Sequence, residues 1–186
     1  MRSILPIFAL SLAVSAPALA TELIPVPTFR SIELHGGGEV IVRRGPGQRV
    51  TLAQGSSQFT RVRVLSEGRL RIDACNERCP QHYRLQIVID SPTVPVLAVA
   101  GGGTIDVAAG FPGQATLTVA VNGGGAVDTT RMSADAVTAA IHGGGEIRVR
   151  ARRALTAAVS GGGMVRYWGD PAVTSAVKGG GLVRRY

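Results

Sequence analysis

Aromatic side chains are scarce in this sequence: one tryptophan, three tyrosines and four phenylalanines among 186 residues. So few rings exclude a stacking platform for nucleic-acid bases or for most sugars. Charged residues are sparse as well, at 17%, while 45% of residues are hydrophobic, which excludes a polar disordered chain. After the first twenty residues no apolar run is long enough to span a bilayer. Cysteine is limited to Cys75 and Cys79. The length has room for one substantial core and no second one.

The start of the chain reads as an address. Met1 and Arg2 precede the apolar run Ile4 to Val14, and Ala18-Leu19-Ala20 closes the segment. A basic start, a short apolar stretch and an A-x-A end predict a signal peptide over 1–20, cleaved after Ala20. Pro6 and Pro17 disfavour the alternative, a core helix. The expectation is an exported bacterial protein, periplasmic, secreted or at the cell surface, with one mature domain over 21–186 and no transmembrane segment. Losing Arg2 takes the formal net charge from +8 to +7. Export places Cys75 and Cys79 in an oxidising compartment, and their spacing between two strand-like runs predicts a local disulfide. Adding His82 gives Cys-x3-Cys-x2-His, a metal-type pattern short of a fourth ligand. A free thiol pair is the remaining alternative. No cofactor is implied.

What the sequence has in plenty is glycine, arranged periodically. Gly-Gly-Gly occurs at 36–38, 101–103, 123–125, 143–145, 161–163 and 179–181. A recurrence near twenty residues marks a repeat that must stack to bury its apolar face. Two positions before each triplet stand Leu34, Val99, Val121, Ile141, Val159 and Val177; four after its first glycine stand Val40, Ile105, Val127, Ile147, Val165 and Val183. Leu117, Val137, Leu155 and Val173 stand six before the last four. Spacing by two on both sides predicts strand, glycine corner, strand, without helical periodicity. Stacked units of this kind predict a right-handed parallel β-helix, about 4.8 Å per coil. A left-handed form needs strict hexads, which Arg153 and Pro171 interrupt. The regular coils occupy 96–186. Residues 21–95 carry strand candidates at Phe29–Val42, Arg49–Gln54, Phe59–Leu65, Leu70–Ala74 and Tyr83–Asp90, as early coils or as a small antiparallel cap.

These features resemble the auto-transporter adhesin head domain family, the GIN domain. The resemblance rests on the opening Phe29-Arg30-Ser31-Ile32-Glu33-Leu34, the repeated glycine corners followed by x-aliphatic, and the segment Gly163 to Pro171 through Val165, Tyr167, Gly169 and Pro171. It implies a right-handed β-helix in an envelope or surface setting, with no agreed activity or catalytic residues. The triplets here stand where that family more often has Gly-Ser-Gly.

Function then rests on the outward positions. Five after the triplet's first glycine stand Asp106, Asp128, Arg148, Arg166 and Arg184, with Arg150 and Arg152 beside them along one strand. A guanidinium column suits an anionic polysaccharide or lipopolysaccharide; a solvated basic face is the plainer alternative. Nucleic acid is disfavoured by export and by the lack of a recognition helix. Stacked Asp106 and Asp128 offer the alternative of a polysaccharide lyase or hydrolase, against the simpler pairing of Asp128 with Arg148. His142 and Ser160 share a column, with no carboxylate placed to orient the histidine. The other outward column is Thr118, Thr138, Thr156 and Thr174 beside Ala98, Ala120, Ala140, Ala158 and Ala176. That flat strip is expected either to lie under the irregular first half or to mediate self-association. The reading is a non-catalytic envelope protein that binds, adheres or assembles.

Overall fold

The computed structural model describes residues 21–76 and 78–186, so the expected signal peptide lies outside the described residues. The fold is all-β. Among the described residues there are sixteen strands, and alternation of aliphatic and polar residues makes burial alternate along most of them, as in Gln86–Ser91 and Val96–Gly101.

The regular part follows the glycine triplets. Strands β8 (Val96–Gly101), β10 (Gln114–Gly123) and β12 (Ala134–Gly143) each end at a triplet. After the corner come β9 (Thr104–Val107), β11 (Ala126–Asp128) and the long β13 (Glu146–Ser160). The chain continues through the fifth triplet to β14 (Met164–Trp168), β15 (Ala172–Lys178), the last triplet and β16 (Leu182–Arg185). Successive units pair in parallel on two ladders. β13 belongs to both ladders, so the sheet folds back on itself there and encloses the core.

The corners are themselves hydrogen-bonded from unit to unit. Gly144 N donates to Gly123 O at 3.0 Å, and Glu146 N to Gly125 O at 3.0 Å. Gly143 has φ +125°, and a Cβ there would sit 2.6 Å from Gly123 O. Glycine is required because the stacked backbones leave no room for a side chain. Around the middle residue, Gly144, nothing lies within 4 Å.

The first half extends the same two ladders and then closes them. β2 (Ser31–Gly36) and β3 (Glu39–Arg44), joined by the first triplet, pair in parallel with β8 and β9. On their far side lie β6 (Arg69–Asp73) and β7 (Gln86–Ser91), also parallel. β4 (Arg49–Gln54) and β5 (Arg61–Leu65) then run antiparallel to β7 and β6, and β1 (Glu22–Ile24) pairs antiparallel with β4. Early units and an antiparallel cap are both present, and the sheet is mixed. The Cys75–Cys79 disulfide forms in the loop between β6 and β7, which rules out the thiol–metal reading with His82.

The aliphatic columns point inward as expected: Leu34, Val40, Ile105, Ile147 and Val165 are fully buried. Phe111 and Met132, in the loops between units, fill the lateral side of the core. The last unit departs from the pattern. Val173 and Val177 occupy the column positions of Leu155 and Val159, yet are 40% and 43% exposed, β15 pairing only with β13 among the described residues.

Candidate functional site

Two outward faces carry the candidate residues. On the ladder containing β9, β11, β14 and β16, pairing places Asp106, Asp128, Arg148, Arg166 and Arg184 in one column. Alternation along each strand turns them away from the core, between buried neighbours such as Ile147 and Val149. The column is an ion-pair ladder along much of its length. Arg148 donates through Nε and Nη2 to Glu146 at 3.0 and 2.8 Å and lies 3.6 Å from Asp128. Arg166 reaches the same Glu146 at 3.1 Å and lies over the Tyr186 ring. The hydrogen bond from Arg148 holds the Glu146 carboxyl below the usual glutamate range, with the charges of Arg148 and Arg166 adding to the effect against desolvation.

The carboxylate end of the column differs in its partners. Asp128 accepts from Thr130 N at 2.9 Å and from its hydroxyl at 2.6 Å. Asp106 has no hydrogen-bond or ion-pair partner among the described residues. Partial burial pushes its pKa up, and the charges of Asp128 and Glu39 add to this. Both line a shallow dip over Thr104 and Ala126, with Glu146 and Arg148 on its rim. The two aspartates are brought together, but Asp128 is already held by Thr130 and faces Arg148. No cluster of three or more metal-ligating side chains occurs among the described residues.

Of the flanking arginines, Arg150 donates to Thr130 O at 3.2 Å and Arg152 pairs with Asp135 at 2.7 Å. Arg152 and Arg153 sit where β13 passes from one ladder to the other, and both point to Asp135. Arg184 has no ion-pair or hydrogen-bond partner among the described residues.

The second face belongs to the ladder of β8, β10, β12 and β15. Thr118, Thr138, Thr156 and Thr174 stand in register, all exposed, with Ala140, Ala158 and Ala176 exposed beside them. The first half does not fold over this strip; it extends the stack instead. His142 and Ser160 are stacked on the same face, and no carboxylate orients His142 among the described residues. Sequence reasoning missed what borders the strip. Glu33 meets His35 at 2.7 Å and Arg69 at 3.5 Å, while Arg71 donates to Asp73 at 2.8 Å. The alternations Glu33-x-His35 and Arg69-x-Arg71-x-Asp73 were the available signal, but the pairing of β2 with β6 is set by no repeat.

Residues 112–171 match the family described as "Putative auto-transporter adhesin, head GIN domain". Over this segment the chain is similar to the head GIN family. The match spans β10 to β14 and ends on Pro171, the last residue of the motif that begins at Gly163. No curated protein matches the chain. Among solved structures, a "putative adhesin" from Bacteroides fragilis is similar, with 19% identity, a TM-score of 0.54 and coverage of 90% of this chain and 96% of that one. A second "putative adhesin", from Parabacteroides distasonis, is 17% identical with a TM-score of 0.51 and the same coverage. At these identities the likeness is one of fold. No helix among the described residues is long and apolar enough to cross a membrane.

Proposed function

We propose that this GIN-type chain is an exported, non-catalytic binding module of the cell envelope that meets a partner through its Thr/Ala face. The units are read as coils of a right-handed parallel β-helix, irregular over 21–95 and regular over 96–186. The observation that carries the reading is the exposed, in-register ladder Thr118, Thr138, Thr156 and Thr174. Small side chains lose little rotamer freedom on contact, and an uncharged strip can be covered without stripping water from ions. The adhesin description of the matched family supports binding over turnover. A second copy of the chain and a different envelope protein both fit such a face.

The register of Arg148, Arg166 and Arg184 favours a second reading, retention of an anionic polysaccharide or lipopolysaccharide. That ligand has to compete with Glu146 for two of the three guanidiniums. The enzyme alternative asks Asp106 and Asp128 to act as acid and base, with Asp128 already engaged by Thr130.

Binding of the labelled mature protein to intact bacterial cells separates these readings. Thr138→Arg with Thr156→Arg abolishes it if the strip is the contact, while Arg148→Glu with Arg166→Glu leaves it in place. The opposite pattern, with retention falling steeply as salt is raised, hands the site to the arginine column. Sugar-polymer turnover that disappears in Asp128→Asn replaces both with the enzyme reading.

A further inference from the structure

The outward column on the ladder of β9, β11, β13 and β14 changes sign halfway. Pairing sets Asp106 on β9 beside Asp128 on β11, Asp128 beside Arg148 on β13, and Arg148 beside Arg166 on β14. Neighbouring strands lie about 4.8 Å apart, so the charges follow in equal steps, two negative and then two positive. The side chains stand on the outside of the sheet: Asp106 is half-buried, while Asp128 is 29%, Arg166 33% and Arg148 42% exposed.

Contacts within the chain leave the two ends of this run unsatisfied. Arg148 is engaged by Glu146 and lies near Asp128, and Asp128 holds Thr130. Asp106 has no partner among the described residues. Partial burial, with the charges of Asp128 and Glu39, raises its pKa. Arg166 engages Glu146 and Met164 through Nε, and its two terminal nitrogens have no hydrogen-bond acceptor among the described residues. Three strand steps, about 14 Å, separate the lone carboxylate from these free donors, too far for them to meet within one chain.

We propose that this face pairs with the same face of a second copy of the chain, the two stacks running in opposite directions. A two-fold axis along the strands, between β11 and β13, brings Asp106 onto Arg166 of the second copy and Asp128 onto Arg148 of the second copy, and repeats both contacts in reverse. The run of four charges is its own complement under that rotation, as an interface made by one patch on both copies requires. Sheets packed face to face keep their strands within about 30° of each other, which holds the two columns opposite one another. In the neighbouring column the same axis sets Glu146 against Ala126 and Met164 against Thr104, so no like charges are opposed there. Charge selects this occupant. A polyanion matches the arginine half and is repelled by the aspartate half, a polycation does the reverse, and a second copy satisfies both. Exposed ion pairs are individually weak and screened by salt, so the association belongs to concentrated protein at low ionic strength. It goes beyond the Thr/Ala face and does not depend on it, since that strip lies on the other ladder.

Sedimentation of the mature protein reads the association. Wild type should form a concentration-dependent dimer at low ionic strength that dissociates as salt is raised. Asp106→Arg and Arg166→Glu each oppose like charges twice in their own dimers and should associate at least about tenfold more weakly. Mixed in equal amounts, the two variants should recover wild-type association as a one-to-one pair, because every contact is again between opposite charges. A damaged fold cannot produce that recovery. Arg61→Glu, on β5, changes the net charge as Arg166→Glu does and should leave association unchanged. A wild type that stays a single protomer at low ionic strength overturns the proposal and leaves the Thr/Ala face standing as a site for another protein. Association that both reversals spare also overturns it and passes self-association to the Thr/Ala face. Weakening without recovery on mixing overturns it too, and heparin retention lost in Arg166→Glu then gives the arginines to an anionic polymer.

Discussion

Gly143 and Gly144 are chemically identical neighbours in entirely different positions. Alanine at 143 meets the backbone of the preceding corner and a φ of +125°, whereas alanine at 144 points into open space. Gly143→Ala should therefore cost about 2–5 kcal/mol, from left-handed strain plus overpacking. Gly144→Ala or Gly144→Ser should be neutral or gain about 0.5 kcal/mol through the unfolded chain. Urea unfolding of the variants measures this contrast, and equal losses would show that the corner does not stack as described. The sequence revealed that each corner needs glycine, but not that the middle residue is dispensable. Only the approach of backbones from the next unit makes that distinction.

Titration separates two carboxyls on the same face. Glu146 is depressed, so its contribution to stability is present above the ordinary glutamate range and is lost as pH falls through its lowered value. Asp106 is raised, so its contribution is present in acid and is lost as pH rises through its raised value. Asp106→Asn should thus raise Tm at pH 7 and change little near pH 3, while Glu146→Gln should lower Tm at pH 7 and matter little near pH 2. Thermal unfolding across that range is the measurement, and a lower Tm for Asp106→Asn at pH 7 contradicts the assignment.

At the level of the strand, alternation decides which substitutions hurt. Val159 is buried in the core and Thr156, three residues away on β13, faces water. Val159→Asp leaves an unpaired charge inside and should cost about 3–5 kcal/mol. Thr156→Asp should stay within about 0.5 kcal/mol, as surface changes usually do. Chemical denaturation that finds the two equal would mean the threonine strip is covered. This alternation was legible because the glycine triplets fix its phase in every unit. β4 and β5 were legible as strands but not as an antiparallel cap: their direction is set by the turn at Gly55 to Thr60 and by the unit they cover, and neither leaves a period. The same holds for β6 and β7, which stack beyond β2 and β3 rather than between them and β8. The Glu33–His35–Arg69 cluster depends on that pairing and was invisible for the same reason.

Across the whole molecule, the aliphatic columns gave the burial pattern of every unit except the last. Val173 and Val177 obey the pattern in sequence and break it in space, because burial depends on a neighbour that periodicity cannot supply. The arginine column was legible as a register, while its neutralisation by Glu146 was not: that carboxylate stands two residues away on the strand and one unit away in space. Both candidate faces extend over several of the later units, so either would present a long contact surface to a partner.

The corner ladder and the single-sided pairing of the last unit also set how the molecule bears force. In the second half each strand's neighbours lie about one repeat away in sequence, whereas β2 and β8 are separated by the whole of the capping region. Tension on Tyr186 directed along the stack would load the ladder bonds of β16 and then β15 a few at a time, peeling off one unit before stressing the next. Tension along the strands would load every bond of a ladder at once and meet far greater resistance. The protein is thus mechanically anisotropic, compliant along the stack and stiff across its width.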